Sequence, residues 1–202
     1  MMTSRAARLV FALSLAAITT AAPAQRMSEG YEFLKAVREA DGNKVTEILN
    51  KPGSQIVNTK DRDSGESALH IVAKRGDDTY LRFLLVKGAN ANAQDARGNT
   101  PLLLAVTGNF TEVVETLTRI KANVNLGNQS GETPLIRAVQ LRNVEMARIL
   151  IAAGANPDQR DVVAGLSARD YATRDGRSPA LIKMLTEAPK AATRAISGPT
   201  LR

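Results

Sequence analysis

A short phrase recurs in this chain at a fixed spacing of 33 residues. It begins with a glycine each time, at Gly65, Gly98 and Gly131, and has a serine or threonine two residues later and a leucine four residues later. A degenerate fourth copy begins at Gly165, one residue late. Repetition at such a period indicates stacked units, because one short unit cannot bury its own apolar face. The sequence therefore predicts a repeat array rather than a domain folded around one central core.

A second phrase repeats in phase with the first. Residues 84–90, 117–123 and 150–156 each begin with leucine and end in Ala-Asn, and apolar residues before and within them recur at helical spacing. Serine or threonine stands where it could cap the helix that follows, at Ser67, Thr100 and Thr133. Pro101 and Pro134 follow at the first helical position, where the missing N–H costs nothing. Each unit is thus predicted to contain a tip turn and two helices.

These phrases resemble the ankyrin repeat, with its pattern D-x-x-G-x-T-P-L-H-x-A-A, then a leucine-rich segment, then G-A-x-x-N. The resemblance covers about residues 31–188. It implies an all-α repeat solenoid, an ankyrin stack of helix-turn-helix units with hairpin-like tip loops. About five units are expected, including degenerate caps, at 31–60, 61–94, 95–127, 128–160 and 161–188. Asn109 and Lys121 replace family glycines in the middle unit, so we expect that unit to be the least stable.

The first 24 residues have the pattern of a secretory signal peptide. Arg5 and Arg8 precede a short apolar run, and small residues at 22–24 form a cleavage site. The run is shorter than the roughly 20 residues that span a bilayer, which argues against an uncleaved anchor. We expect cleavage near Ala24, a periplasmic or secreted bacterial protein without stable membrane anchoring, a repeat domain at 25–188 and a disordered tail at 189–202.

Composition excludes several kinds of chemistry. The chain has no cysteine and one histidine, which rules out disulfides, thiolate sites and multi-histidine metal sites. No nucleotide-binding or hydrolase motif is present. The histidine, His70, falls at the family position that joins adjacent repeats through hydrogen bonds. We predict no metal, no cofactor and no enzymatic activity.

Paired carboxylates leave one enzymatic alternative open. Asp61 and Asp63 flank an arginine in a tip loop, and residues 77–78 are both aspartate at the start of a predicted helix. Such pairs could serve acid–base chemistry, but a solvated turn and a favourable helix N-terminus explain them more simply. An enzyme with an unrecognised carboxylate site is therefore the lowest alternative.

Charge argues against a nucleic-acid partner. The formal charge is +7, but Arg5 and Arg8 would leave with the signal peptide, and the tail holds Lys190, Arg194 and Arg202 without an acid. The repeat region itself is nearly balanced and has no concentrated basic face. We expect a monomer that binds an unknown protein.

The resemblance also implies where that protein binds. Family members usually meet partners through the tips and the inner helices, which form a concave face. The matching positions here, with Ala96 beside them, form the binding strip: Asp63, Ser64, Glu66, Lys74, Arg75, Arg97, Asn99, Thr107, Gln129, Ser130, Glu132, Gln140 and Leu141. The convex helices or the tail remain alternative surfaces. The leading hypothesis is an exported, non-enzymatic interaction module, and the alternative is an inhibitor or immunity-type protein that blocks an enzyme.

Overall fold

The computed structural model describes residues 23–51 and 56–189, and side chains from Glu29 onward. Most of the predicted signal peptide lies outside these residues. So do the predicted tail beyond Pro189 and the link at 52–55.

Ten α-helices, arranged as five consecutive pairs, make up the described part of the chain. The pairs are α1 (Pro23–Arg38) and α2 (Gly42–Leu49), α3 (Ala68–Arg75) and α4 (Asp78–Val86), α5 (Pro101–Thr107) and α6 (Thr111–Arg119), α7 (Pro134–Gln140) and α8 (Val144–Ala152), and α9 (Ala168–Asp175) and α10 (Pro179–Glu187). A 3₁₀ turn lies at Ile56–Asn58. Extended structure within these residues is limited to two isolated bridges, Lys60–Ser67 and Arg160–Ser167. The predicted all-α repeat solenoid is confirmed.

The helices form two layers. The first helices of the pairs (α1, α3, α5, α7, α9) pack side by side, and the second helices pack in a parallel row with fewer contacts between neighbours. The closer packing makes the first-helix layer the inner one. Three alanines of that layer are fully buried, Ala105 and Ala138 at equivalent positions and Ala73 one residue later in the register, so adjacent inner helices approach closely. One continuous apolar core runs from Phe33 in α1 to Leu185 in α10.

Helix starts follow the chemistry that the sequence predicts. Thr100 Oγ1 accepts a hydrogen bond from the backbone N–H of Leu103 (3.1 Å), and Thr133 Oγ1 accepts one from Ile136 (3.2 Å). A proline follows each threonine as the first helical residue. These caps satisfy N–H groups that would otherwise be orphaned inside the stack.

Left-handed turns separate the elements, and several lack glycine. Asn109 (φ 59°) and Lys121 (φ 61°) adopt this conformation in the middle unit, as expected of residues standing in for glycine. Arg142 (φ 55°) does the same in the next unit, a replacement that the sequence comparison did not single out. Strained turns are therefore not confined to the middle unit, and its lower stability stays a prediction.

At each end of the stack, an arginine side chain joins the terminal helix pair to the unit beside it. At the first end, Arg75 donates to the carbonyl of Val37 (3.0 Å) and lies over the ring of Tyr80. At the last end, Arg169 donates to Asp158 (2.7 Å) and to the carbonyl of Ala188 (2.8 Å). Within the described residues, no helix combines the length and the apolar character needed to cross a membrane.

Candidate protein-binding face

The four tip loops form a continuous row, which we call the tip ladder (61–65, 95–98, 128–131 and 161–165). Backbone hydrogen bonds join consecutive tips: Ala96 N to Ser64 O (2.9 Å), Gln129 N to Arg97 O (3.0 Å) and Val162 N to Ser130 O (2.9 Å). The tips therefore hold one another in place, as neighbouring strands do, and the side chains between these bonds stand on a fixed backbone.

Each tip is also braced from inside by its first residue. Asp61 accepts hydrogen bonds from the N–H groups of Asp63 and Ser64, and Asp161 accepts them from three successive N–H groups at residues 163–165. The bond from the Ser64 N–H, followed by the bond from Arg38, lowers the pKa of Asp61 well below its usual value. The Asp61 carboxylate therefore holds the turn and its lowered pKa favours the charged form, which supports the structural interpretation of the Asp61–Asp63 pair over acid–base chemistry.

His70 joins the first full unit to the second. Its ring is fully buried. Nδ1 lies 3.0 Å from the backbone nitrogen and 2.8 Å from the hydroxyl of Ser67, and Nε2 lies 3.0 Å from the carbonyl oxygen of Asn99. Burial lowers the pKa of the imidazole, against the smaller raising effect of the Asn99 carbonyl. The neutral ring accepts at Nδ1 and donates at Nε2, a structural role that occupies both nitrogens.

Part of the binding strip is engaged in bonds within the protein. Lys74 pairs with Glu66 (2.7 Å), and Arg75 pairs with Asp77 besides its bond to the first helix pair. Asn99 donates to Asp95 and accepts from Asn128, while Glu132 accepts from Arg137 (2.8 Å). The carboxylates of Glu66 and Glu132 are mostly shielded, with side-chain exposures of 17% and 13%. These residues shape the face more than they offer free groups to a partner.

The remaining residues of the strip lie open. Those exposed to solvent are Asp63, Arg97, Thr107, Gln129, Ser130, Gln140 and Leu141, while Ser64 is half-buried. Gln129 donates to the carbonyl of Ala96 (2.9 Å) and Thr107 to that of Leu103 (2.8 Å). Arg97 and Asp63 make no side-chain hydrogen bond or ion pair to another described residue, so they are the most available charges of the strip.

The repeat pattern of the sequence did not lead us to one row of inner-helix residues. Ile71, Leu104, Arg137 and Tyr171 occupy one equivalent position in the four inner helices from α3 to α9, and all four are half-buried. Each lies three residues before a strip position, as Ile71 does before Lys74 and Leu104 before Thr107. The same 33-residue register could therefore have identified them. They form the floor of the face, apolar at the α3–α5 end and polar at the α7–α9 end.

The second feature that the repeat pattern did not predict is an exposed apolar tip. Val162 and Val163, in the last tip, are 73% and 79% exposed. The fourth copy of the tip phrase begins one residue late, at Gly165, and the described tip has one residue more than the two middle tips.

Two further features of the described residues concern metal binding and cavities. Among the described residues, no cluster of three or more histidine, aspartate or glutamate side chains could hold a metal ion. A cavity of about 280 Å³ between the last two units is lined by Ile151, Gly154, Ala155, Asn156, Pro157, Ala188 and Pro189, none of which is titratable.

Comparison with known proteins agrees with the repeat architecture. A family model described as ankyrin repeats (3 copies) matches residues 33–128 and 69–161, which together exceed half of the chain. Neurogenic locus notch homolog protein 1 of Xenopus laevis is 36% identical over 84 residues, covering 42% of this chain and 3% of that protein. Rabankyrin-5 of Mus musculus is 33% identical over 67 residues, covering 33% of this chain and 6% of that protein. The chain thus spans only a small fraction of these relatives' length. Ankyrin repeats are generally non-enzymatic protein–protein interaction modules, and this chain belongs to their family.

Proposed function

We propose that this protein is exported to the periplasm and there binds one partner protein through the tip ladder and the inner helices. The observation that carries the proposal is the rigid presentation of exposed polar side chains. Consecutive tips are joined by backbone hydrogen bonds, and Arg97, in the second tip, is exposed and forms no ion pair with another described residue. A backbone fixed before binding lowers the ordering cost of association.

Export is supported by the sequence of residues 1–24, which has the pattern of a secretory signal peptide. Its test is the mass of the protein recovered from the periplasmic fraction of a bacterial host. A product beginning at Gln25 supports export with cleavage, and an uncleaved product retained in the cytoplasm contradicts it.

A capture experiment tests the binding face. Immobilised protein is exposed to periplasmic extract of its source organism, and retained proteins are compared for the wild type, Arg97→Glu and Arg119→Glu. Arg119 is the matched control because it is an exposed arginine of the same unit that lies on α6, in the outer layer. Retention lost with Arg97→Glu and kept with Arg119→Glu supports the proposed face.

Other outcomes of the capture redirect the proposal. If both variants retain the partner equally, the tip ladder is not the contact surface. If Arg119→Glu alone loses it, the partner uses the outer helices. If the captured protein is an enzyme whose activity falls in a one-to-one complex, the module acts as an inhibitor.

A further inference from the structure

Ion pairs join the inner helices to the tip ladder. Each of them combines a cation of an inner helix with an acid in or directly beside a tip, and we call them the tip pairs: Arg38–Asp61 (2.6 Å), Lys74–Glu66 (2.7 Å) and Arg137–Glu132 (2.8 Å). Their cations belong to α1, α3 and α7. The pairs are therefore spread along most of the proposed binding face.

The two members of a tip pair are not equally exposed. The side chain of Lys74 is 62% exposed and that of Glu66 17%, while the values for Arg137 and Glu132 are 33% and 13%. Asp61 is likewise less exposed than its partner and is held in the first tip by backbone N–H groups. A molecule that approaches this face therefore meets the cations, with the acids beneath them.

Ion pairs of the outer layer do not share this ordering uniformly. In two of them the acid is exposed about as much as the cation or more: Lys44–Glu47 on α2 and Arg148–Glu145 on α8. Arg82–Asp78 on α4 does have a shielded acid. The outer layer thus presents both signs of charge. The sequence could not reveal this difference, because a nearly balanced charge counts both members of a pair alike.

Pairing leaves the cations with donors to spare. An ammonium group carries three N–H donors and a guanidinium five, and in each tip pair one nitrogen of the cation bonds to the acid. The shielded acid also restricts the cation before binding, which reduces the side-chain entropy lost when a ligand is bound. Each tip pair is therefore an anchored cation that can accept a second anionic partner.

Unpaired cations extend the same surface. Lys35, Arg97 and Arg174 are exposed and form no ion pair with another residue whose side chain is described. Lys35 lies five residues before the left-handed residue that follows its helix, as Arg137 does, and Arg174 lies two before it, as Lys74 does. The helix positions of the tip pairs thus recur at both ends of the inner layer.

The acids of this side are either shielded, bonded or confined to one end. Exposed Glu39 and Asp63 lie at the first-unit end. From the second tip to α9, each acid of the tips and inner helices is bonded within the protein: Asp95 to Asn99, Glu132 to Arg137, Asp161 to Tyr171, Asp170 to Ser167 and Asp175 to Arg142. Beyond its first unit, the face therefore offers a partner mainly positive charge.

We infer that the partner of the proposed function presents an acidic segment, which lies across the inner helices; this inference rests on that function. Charge complementarity identifies the segment, since its carboxylates meet the cation face: Lys35, Arg38, Lys74, Arg97, Arg137 and Arg174. Packed helices lie about 8–10 Å apart, so α1 to α9 spans about 35 Å. An extended chain covers that distance with about ten residues.

A polypeptide fits this face better than a nucleic acid does. The shielded acids repel any anion, so a ligand gains most by placing its charges at the cations and neutral groups elsewhere. A polypeptide can place neutral residues over Thr107 and Gln140, whereas a phosphate backbone is charged throughout. Stacking of bases requires open aromatic faces, and the Tyr171 ring is half-buried with its hydroxyl bonded to Asp161.

Peptide binding tests the preferred sign of charge. The probe is a fluorescein-labelled peptide of about ten residues with alternating Glu and Gly, and its controls carry Gln or Lys in place of Glu. Fluorescence anisotropy with the purified protein measures each affinity at low and at physiological salt. The Glu peptide should bind about tenfold more tightly than the Gln peptide at low salt, and the difference should shrink as salt screens the charges.

Two variants of one tip pair separate recognition from a structural role. Lys74→Gln should weaken binding of the Glu peptide about two- to fivefold, because it removes an exposed cation. Glu66→Gln should strengthen it about twofold, because it removes the negative charge beneath that cation. A purely structural pair predicts that both variants weaken binding. Arg148→Gln, the matched control on outer helix α8, should leave the affinity unchanged.

Several outcomes would overturn the acidic segment. Equal affinities for the Glu and Gln peptides, equal losses with Lys74→Gln and Arg148→Gln, or weaker binding with Glu66→Gln would each do so. Tighter binding of a single-stranded oligonucleotide of equal charge, with the same dependence on Lys74, would overturn it in favour of a nucleic acid.

Competition in the capture experiment separates this inference from the proposed function. An excess of the Glu peptide should release the captured partner, and the Gln peptide should not. A partner that is lost with Arg97→Glu but is not released by the Glu peptide would overturn the acidic segment and leave the binding face in place. If the wild type captures no protein, the peptide affinities decide the preferred charge by themselves.

Discussion

A single methyl group at Gly98 tests the rigidity on which the proposed binding face depends. Gly98 has φ +78°, and a Cβ there would lie 2.8 Å from the backbone nitrogen of Gln129 and 3.1 Å from the carbonyl carbon of Asn128. These are backbone atoms of the next tip, so they cannot rotate away. Gly88, in the turn after α4, has φ +88° and nothing within 4 Å of its Cβ position. The two glycines therefore share the backbone strain and differ in the contact.

The loss in the free energy of unfolding of each alanine variant can be estimated by adding its separate contributions. An alanine in the left-handed region costs about 1–2 kcal/mol, and its lower entropy in the unfolded chain returns about 0.4–1 kcal/mol. Gly88→Ala should therefore lower the free energy of unfolding by about 1 kcal/mol. Gly98→Ala adds an overpacking cost of about 1–3 kcal/mol and weakens the Arg97–Gln129 tip bond. We expect a total loss of about 2–4 kcal/mol for Gly98→Ala.

Urea unfolding followed by helical circular dichroism measures both variants against the wild type. The slopes with urea must agree before free energies are compared, because repeat arrays can unfold in parts. Lys121, in phase with Gly88, already carries a side chain at φ 61°, which supports a small effect there. If the two variants lose the same stability within about 0.5 kcal/mol, the tips do not contact one another as rigidly as described, and preorganised binding loses its physical basis.

Three further outcomes follow from the described contacts. Because burial lowers the pKa of His70, the unfolded chain takes up a proton at higher pH than the folded one; stability is full above about pH 6.5 and falls as pH decreases toward the folded pKa. His70→Gln should flatten this dependence in urea midpoints measured from pH 7.5 to 5, and an unchanged slope would assign it to other groups. Arg169→Ala should cost about 1–3 kcal/mol and speed amide exchange in α10; unchanged exchange would show that the bond to Ala188 does not hold the last helix. Leu102→Asp, at a site 1% exposed, should cost more than about 4 kcal/mol, and retention of the wild-type urea midpoint would contradict the buried placement.

The repeat elements were predictable because their causes are local. A glycine that needs positive φ, a threonine that caps the next turn and a proline at the first helical position each act within a few residues. Contacts between inner helices involve residues far apart in the sequence, yet the 33-residue period reveals the small alanines Ala105 and Ala138, which occupy the same position in two successive units.

The hydrogen-bond and ion-pair partners of the polar side chains on the face were not predictable in the same way. The register places Glu66, Asn99 and Arg97 on one face, but it does not state which of them finds a partner inside the protein. Lys74 folds back over the tip to Glu66, and Asn128 reaches Asn99 from the next unit. Arg97 has no such neighbour among the described residues. These differences depend on the side chains of adjacent units, which the repeat pattern leaves free to vary.

Glycine is required in this chain by neighbouring backbone more than by φ. Side chains are accommodated in left-handed turns away from the tips, at Ala40, Asn109, Lys121 and Arg142. In each of the first three tips, the residue with positive φ is a glycine, Gly65, Gly98 or Gly131. A Cβ at that position would lie within 2.6–2.9 Å of a backbone nitrogen of the next tip. The residues just before these glycines, Ser64, Arg97 and Ser130, differ in size and charge although each gives its carbonyl to the same ladder. A fixed backbone bond thus coexists with a variable side chain at the same residue, which lets a protein-binding face change its partner without a change of fold.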